Sequence, residues 1–282
     1  MKQTFERIFK MHSPDYEFLL QRMRTALGVD EVVFSDITSV NMIKFREYMM
    51  GEVANNSLKT YFAVIKSVIN ICHGDGLIKS NKCVSELHVK AEPSENVYLT
   101  EEELDRMDKY FDKIVNIPER IGERDCLCLF LIENVTGART SDCIGISKDN
   151  IRDNKLTYIS KKTKNASIMP VHSKLQKYLK YKPKKDYSRV QKNRVIKKVA
   201  KECGIDQVIK LFYRGKWRKW PKYMYLSTHT GRRDFATLLD RRGAPISEIC
   251  QFMNHKKNIS MTMRYIIPDY DKVSREAMSF FS

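Results

Sequence analysis

The sequence predicts a mainly α-helical fold with a small antiparallel β-sheet, divided into an all-helical first part and a mixed α/β second part. Three observations predict it. Apolar residues recur at helical spacing, as at Tyr61, Ile65, Val68, Ile69 and Cys72. Two runs, K-L-T-Y-I-S and A-S-I-M-P-V, flank a K-K-T-K-N turn as the strands of a hairpin would. Residues 91–98, A-E-P-S-E-N-V-Y, are polar with one proline and read as a linker. The expected division is a helical domain over 1–92, a linker over 93–98 and a second domain over 99–282.

Along the first part, Ser13-Pro14 places an N-cap before a proline at the first helical position, and Gly28 stops that helix. A second helix opens near Ser39. Ser57 is expected to cap a third, which ends at H-G-D-G. Beyond the linker, Thr100 caps a helix with Glu103 at the capping-box position. The run G-E-R-D-C-L-C-L-F-L-I-E-N-V is apolar enough for a buried helix, broken by Thr136-Gly137, and T-S-D-C-I-G-I opens a short one. The hairpin follows, then a basic helical run. Y-R-G-K-W-R-K-W-P-K reads as a loop or ribbon, whose Trp217 and Trp220 either stack on nucleic acid or anchor the ribbon to the core. Gly243 ends the helix that H-T-G-R-R begins. Pro245 starts another, with Ile246, Ile249, Cys250 and Met253 as its core stripe.

Composition narrows the partner. The net charge of +17 favours a polyanion, nucleic acid first and an acidic membrane surface second. Between Lys174 and Lys201 there are twelve Lys or Arg and one acid, Asp186. Such a density of like charge is tolerable mainly when phosphates neutralise it. No apolar run has the length of a membrane span, and the first twenty residues lack a signal-peptide core, so a cytoplasmic protein is expected. The seven scattered cysteines form neither a disulfide framework nor a metal-binding pair.

Five short motifs occur in order: T-G-A-R-T-S-D, S-K-K-T-K, H-T-G-R-R-D-F-A-T, M-N-H-K-K and M-T-M-R-Y. Together they resemble the tyrosine recombinases, or phage integrase family, over about residues 97–282. The N-terminal helices more loosely resemble that family's SAM-like core-binding domain. The resemblance implies a site-specific DNA recombinase that cleaves and rejoins DNA through a covalent 3′-phosphotyrosine. It implies neither metal nor cofactor. Its catalytic residues become Arg139, Lys162, His229, Arg232, His255 and the nucleophile Tyr265, supported by Asp142. A phosphodiester under attack accumulates charge on its non-bridging oxygens, and guanidiniums meet it with paired, permanently charged donors. His229 and Arg232 are three apart and share a helical face. A lysine on a hairpin can protonate the leaving oxygen; Lys161 and Lys164 are rivals for that role.

Lys161, Lys164, Arg233, Arg214, Lys216, Trp217 and Arg218 are candidate DNA contacts. Two features depart from the family pattern. Asn254 stands where a glycine is common, and His255 and Tyr265 are ten residues apart where nine is usual. The resemblance further implies double-stranded DNA as partner, a homotetramer on two DNA sites, and accessory DNA-bending factors in some relatives. Relatives exchange a tail segment between protomers, here K-V-S-R-E-A-M-S-F-F-S with Val273, Ala277, Met278, Phe280 and Phe281 apolar. A start at the core-binding part suggests an Xer-like or transposon-type integrase of a mobile element, without an arm-binding domain. The alternatives are an architectural DNA-binding protein on the same scaffold, or strand relaxation of the type IB topoisomerase kind.

Overall fold

The computed structural model describes residues 4–92, 95–213, 216–255, 258–269 and 278. The chain forms two compact units, residues 1–95 with 212–217, and residues 96–211 with 218–282. It is mainly helical, with small antiparallel sheets.

The first unit is built on α1 (Phe5–His12), α2 (Phe18–Leu27), α3 (Ser39–Glu52) and α4 (Asn55–Gly74). The sequence reading gave α1 no helix of its own, because charges interrupt its apolar residues. Phe5, Ile8 and Phe9 nevertheless lie on one face and are buried. Glu6 is buried with them, where it accepts hydrogen bonds from Arg24 and from the Val32 N–H (2.9 Å). Ser13-Pro14 opens a short 3₁₀ turn over Pro14–Tyr16, and α2 begins only at Phe18. Gly28 ends α2 in the left-handed region as expected, with φ of 70°. Ser57 is not a cap: the cap is Ala54, three residues earlier, and Ser57 falls in the first turn of α4. Phe45 and Phe62 meet edge to face at 6.1 Å in a core that also holds Leu19, Met23, Met42 and Leu58.

In the second unit, α5 (Glu101–Ile114) carries the Thr100–Glu103 capping box. At the centre runs α6 (Ile121–Thr136), whose residues 125–134 are all buried; it is mainly apolar all round because other helices surround it. Next come α7 (Thr140–Cys143) and a sheet in the order β1 (Ile151–Arg152), β2 (Lys155–Ile159), β3 (Ala166–Pro170). Strands β2 and β3 form the expected hairpin, pairing Leu156 with Met169 and Tyr158 with Ser167. At two residues, β1 is too short to leave a pattern. The basic run becomes α8 (Leu175–Tyr181) and α9 (Arg189–Glu202), followed by a ribbon of β4 (Val208–Tyr213) and β5 (Lys216–Pro221). Then come α10 (Thr228–Arg241), α11 (Ile246–Phe252) and α12 (Ile259–Met263).

The two tryptophans of the ribbon differ. Trp220 is half-buried, its ring 5.5 Å from that of Tyr225 and 4.6 Å from the Arg218 guanidinium. Trp217 is 61% exposed, edge-on to Phe212 at 5.6 Å. The basic run is less bare than its sequence suggests. Lys174 and Lys177 bind Asp105, Asp108 and Asp112 of α5, Lys198 binds Glu123, and Lys192 binds Asp186. Four of those five carboxylates lie 65 or more residues away in the chain, so no local pattern shows them. Of the tail, only Met278 is among the described residues, so the expected apolar face lies outside them.

Helices α6 and α10 pack closely, and Gly137 closes the end of α6 with φ of 58°. A Cβ there would stand 2.4 Å from the Phe235 ring of α10. Gly28 has a similar φ with nothing within 4 Å. Gly28→Ala should therefore cost about 1–2 kcal/mol, the left-handed penalty alone. Gly137→Ala should cost about 1–3 kcal/mol more through overpacking. Chemical denaturation of both variants checks this; equal losses would contradict the close approach.

Candidate active site

A cleft of about 1150 Å³ opens in the second unit. Arg139, Lys162, His229, His255 and Tyr265, which come from five separate segments, all line it.

Arg139 is placed by the end of α6. After the left-handed Gly137, it becomes the N-cap residue of α7, and its carbonyl accepts from the N–H groups of Asp142 (2.7 Å) and Cys143 (3.1 Å). Its side chain donates to Ser160 Oγ (3.1 Å), the last residue before the hairpin turn. Asp142 does not reach back to Arg139. Its Oδ1 accepts the N–H of Lys161 at 2.9 Å, which ties α7 to the turn that carries Lys162. The turn is closed by Ser160 N–H to the Asn165 carbonyl (3.0 Å), and Lys164 takes a left-handed φ of 55° within it. Lys162 is exposed at the turn and borders the cleft; Lys161 and Lys164 are exposed but do not line it.

His229 and Arg232 share α10 but differ in exposure. Ser227 donates its N–H to Thr230 Oγ1 (2.9 Å), and Asn193 of α9 accepts the Thr228 N–H (2.9 Å), which fixes the helix start. His229 presents an exposed ring to the cleft. The surrounding walls desolvate it, and Arg233, Arg232, Arg189 and Arg139 add positive charge, so its pKa falls below the ordinary imidazole value. Arg232 has no solvent exposure. Its Nη1 donates to the Gly137 carbonyl, and its Nη2 to the Met253 carbonyl and to His255 Nε2 (2.9 Å). The Tyr265 ring lies over the guanidinium at 5.3 Å.

This arrangement determines the state of His255. Arginine only donates, so Nε2 must be an acceptor. A neutral ring then carries its proton on Nδ1, which donates to Thr262 Oγ1 (2.9 Å). Thr262 in turn donates to Cys250 Sγ (3.0 Å). Burial, with Arg232 and Arg139 nearby, pushes the His255 pKa down to about 4. The His255 and Tyr265 rings are 5.4 Å apart. Helix α12 takes up the ten-residue spacing, capped by Asn258 Oδ1, which accepts the Met261 N–H (3.0 Å). The backbone around Tyr265 is clamped to α10 through Thr237 Oγ1, which donates to the Tyr265 carbonyl (3.3 Å) and accepts the Ile267 N–H (3.1 Å). Asn254 has a left-handed φ of 55°, a conformation that glycine and asparagine tolerate best, and this explains the substitution. Its side chain adds a bond glycine lacks, to the Asn165 carbonyl (2.9 Å).

Several residues that the sequence reading missed build the site: Ser160, Thr237, Thr262 and two buried carboxyls. Glu133 accepts the Thr140 hydroxyl (3.0 and 3.2 Å), and Asp234 accepts the Leu99 N–H (2.7 Å). Burial raises both pKa values well above the carboxylate range. All but Glu133 lay within the quoted motifs, but their sequence positions alone gave them no role. Of the other candidate contacts, Arg233 is half-buried on α10, and Lys216, Trp217 and Arg218 belong to β5. Arg214 lies outside the described residues. Among the described residues no group of three or more His, Cys, Asp or Glu is placed to hold a metal, and no helix is long and apolar enough to cross a membrane.

Comparison with known proteins matches residues 97–272 to the phage integrase family. No curated protein gives a significant match. Among solved structures, a Tn1549 transposon integrase in complex with a circular intermediate DNA is 14% identical over 99% of both chains, with a TM-score of 0.62. A lambda integrase dimer bound to a COC′ core site is 16% identical over 93% of this chain and 92% of that one, at 0.64. The post-cleavage complex of the XerH site-specific recombinase with a palindromic difH substrate is 13% identical over 98% and 80%, at 0.65. At these identities the likeness is one of fold.

The neutral, buried His255 makes stability depend on pH. Its pKa is about 4 folded and 6.5 free, so between these values the unfolded chain binds the proton and the folded one does not. Falling pH across that window should withdraw roughly 3 kcal/mol of stability, a loss complete near pH 4. Urea unfolding from pH 7 to 4.5 should show His255→Gln losing less than the parent chain. Parallel curves would contradict the assignment.

Proposed function

The chain belongs to the phage integrase family of tyrosine recombinases, and from that premise we propose that it cleaves and rejoins DNA with Tyr265 as nucleophile. One observation carries this reading. Five residues from distant segments line one cleft, and the fully buried Arg232 stands directly behind two of them, bonded to His255 and under the Tyr265 ring.

In the proposed reaction the Tyr265 phenolic oxygen attacks phosphorus and loses its proton to solvent or a neighbouring base. The bond from phosphorus to the 5′ oxygen breaks, leaving a 3′-phosphotyrosyl link. The departing oxygen takes a proton from Lys162, whose position at a turn lets it reach into the cleft. Arg139, with one neutral hydrogen bond to Ser160, holds a non-bridging oxygen with its remaining donors. Arg232 reaches the phosphate once the Tyr265 ring moves from its face toward phosphorus. His229, kept neutral at pH 7, donates or accepts a hydrogen bond at the cleft wall. His255 is held by Arg232 and Thr262 as a neutral ring that orients rather than titrates. The covalent link conserves the phosphodiester energy, so rejoining to a second strand needs no added energy source. Strand exchange by this route requires two DNA sites, and we propose four protomers to hold them.

The test is incubation with a nicked suicide duplex carrying the target site. A covalent protein–DNA adduct is expected, and Tyr265→Phe should abolish it; an adduct that survives would reassign the nucleophile. Lys162→Ala should slow cleavage by about 10²–10⁴-fold, the usual worth of a general acid. A 5′-bridging thiol leaving group needs no such proton and should restore the rate. If the thiol substrate is equally slow, Lys162 does not protonate the leaving group.

A further inference from the structure

Arg189 lines the same cleft as Arg139, Lys162, His229 and Tyr265, although none of the sequence motifs contains it. It is the first residue of α9, and its surroundings are fixed. Ser188 Oγ accepts the Gln191 N–H (3.2 Å), and Asn193, four residues on, holds the Thr228 N–H at the start of α10. Arg189 therefore sits beside the helix end that bears His229, close enough for its charge to lower the proton affinity of that ring.

Of the two cations that the basic run brings to the cleft wall, Lys192 has a counter-charge and Arg189 has none among the described residues. Lys174, Lys177, Lys192 and Lys198 are bound to carboxylates, and Lys182 donates to the carbonyls of Ile144 and Ile146. Asp186, the acid in the cleft wall, is taken by Lys192 at 2.8 Å. Arg189 is exposed and makes no hydrogen bond or ion pair among the described residues. An unpaired guanidinium near Arg139, Lys162 and the buried Arg232 raises the repulsion within the free protein. A single phosphodiester, with one negative charge, cannot match four cations, and the cleft is far larger than one phosphate group.

We propose that Arg189 contacts a second backbone phosphate, adjacent to the one that Tyr265 attacks, and so fixes the register in which the strand enters the cleft. This rests on the strand-cleavage reading above. A contact to phosphate carries no base sequence; it positions the duplex. The effect of losing it should be uniform across sequences and visible in the salt dependence of binding.

The test uses the full chain and a fluorescent duplex of arbitrary sequence, with binding measured across a range of salt concentrations. Arg189→Ala should weaken binding and reduce the slope of log K against log salt by about 0.9, one phosphate contact. Arg189→Lys should keep the slope. Lys198→Ala, which removes a charge already paired with Glu123, is the control and should leave the slope unchanged. In the free protein, NMR titration should show His229 taking up its proton at higher pH in Arg189→Ala. An Arg189→Ala slope equal to that of the control overturns the proposal, even where the parent chain still forms the Tyr265 adduct. A lost slope in a protein that forms no adduct would instead keep the phosphate contact and overturn the cleavage reading.

Discussion

The site depends on one buried cation. Arg232 is wholly removed from solvent, and an isolated charge in that position would cost several kcal/mol. The cost is offset by directed acceptors: the carbonyl that ends α6, the carbonyl that ends α11, the Nε2 of His255 and the face of Tyr265. These groups come from the end of α6, the turn after α11 and the segment that carries Tyr265. The guanidinium's two terminal nitrogens are paired only when these groups are in place, so the requirement to pair one charge draws the elements of the site together. Its fork geometry suits two carbonyls and a ring nitrogen at once, which a lysine ammonium on a flexible stem would not reproduce.

Around that cation a set of neutral bonds locks the remaining pieces. Arg139 to Ser160 and Asp142 to the Lys161 N–H join α7 to the lysine hairpin. Asn254 to the Asn165 carbonyl, and Ser167 Oγ to the Phe252 carbonyl (2.9 Å), join the hairpin to the end of α11. Thr237 holds the tyrosine backbone on α10. The segments that carry Tyr265, Lys162 and the two guanidiniums are thus linked through hydrogen bonds, while Lys162 and the His229 ring stay exposed toward the cleft. A rigid frame with two exposed groups suits a reaction in which a large substrate enters and one proton is delivered.

Much of this was legible in the sequence, and the gaps have physical reasons. Long helices announced themselves by period, capping box and glycine stop, as at Thr100, Gly28 and Gly137. The hairpin followed from alternation around a polar turn. Helix α1 was hidden because Glu6, a buried acid, sits inside its apolar face. The cap at Ser57 was misplaced because Ala54 supplies no side-chain bond to mark the true start. The motif residues that meet in the cleft could be listed from their order, but not their depth: nothing in H-T-G-R-R separates an exposed His229 from a buried Arg232. The roles of Thr262, Ser160 and Glu133 were invisible because their partners lie across a break between elements, beyond any helical or strand period. So were the carboxylates of α5 that neutralise much of the basic run, which made that run look like a longer phosphate track than it is.

Arg232 holds His255 as a neutral ring protonated on Nδ1. The most direct measurement is a two-dimensional ¹⁵N–¹H correlation spectrum of the imidazole rings in the unliganded protein, followed with pH. The expected spectrum shows a His255 ring with Nδ1 protonated and Nε2 bare at pH 7, unchanged until the pH approaches about 4. A proton on Nε2, or a midpoint near 6.5, would contradict it.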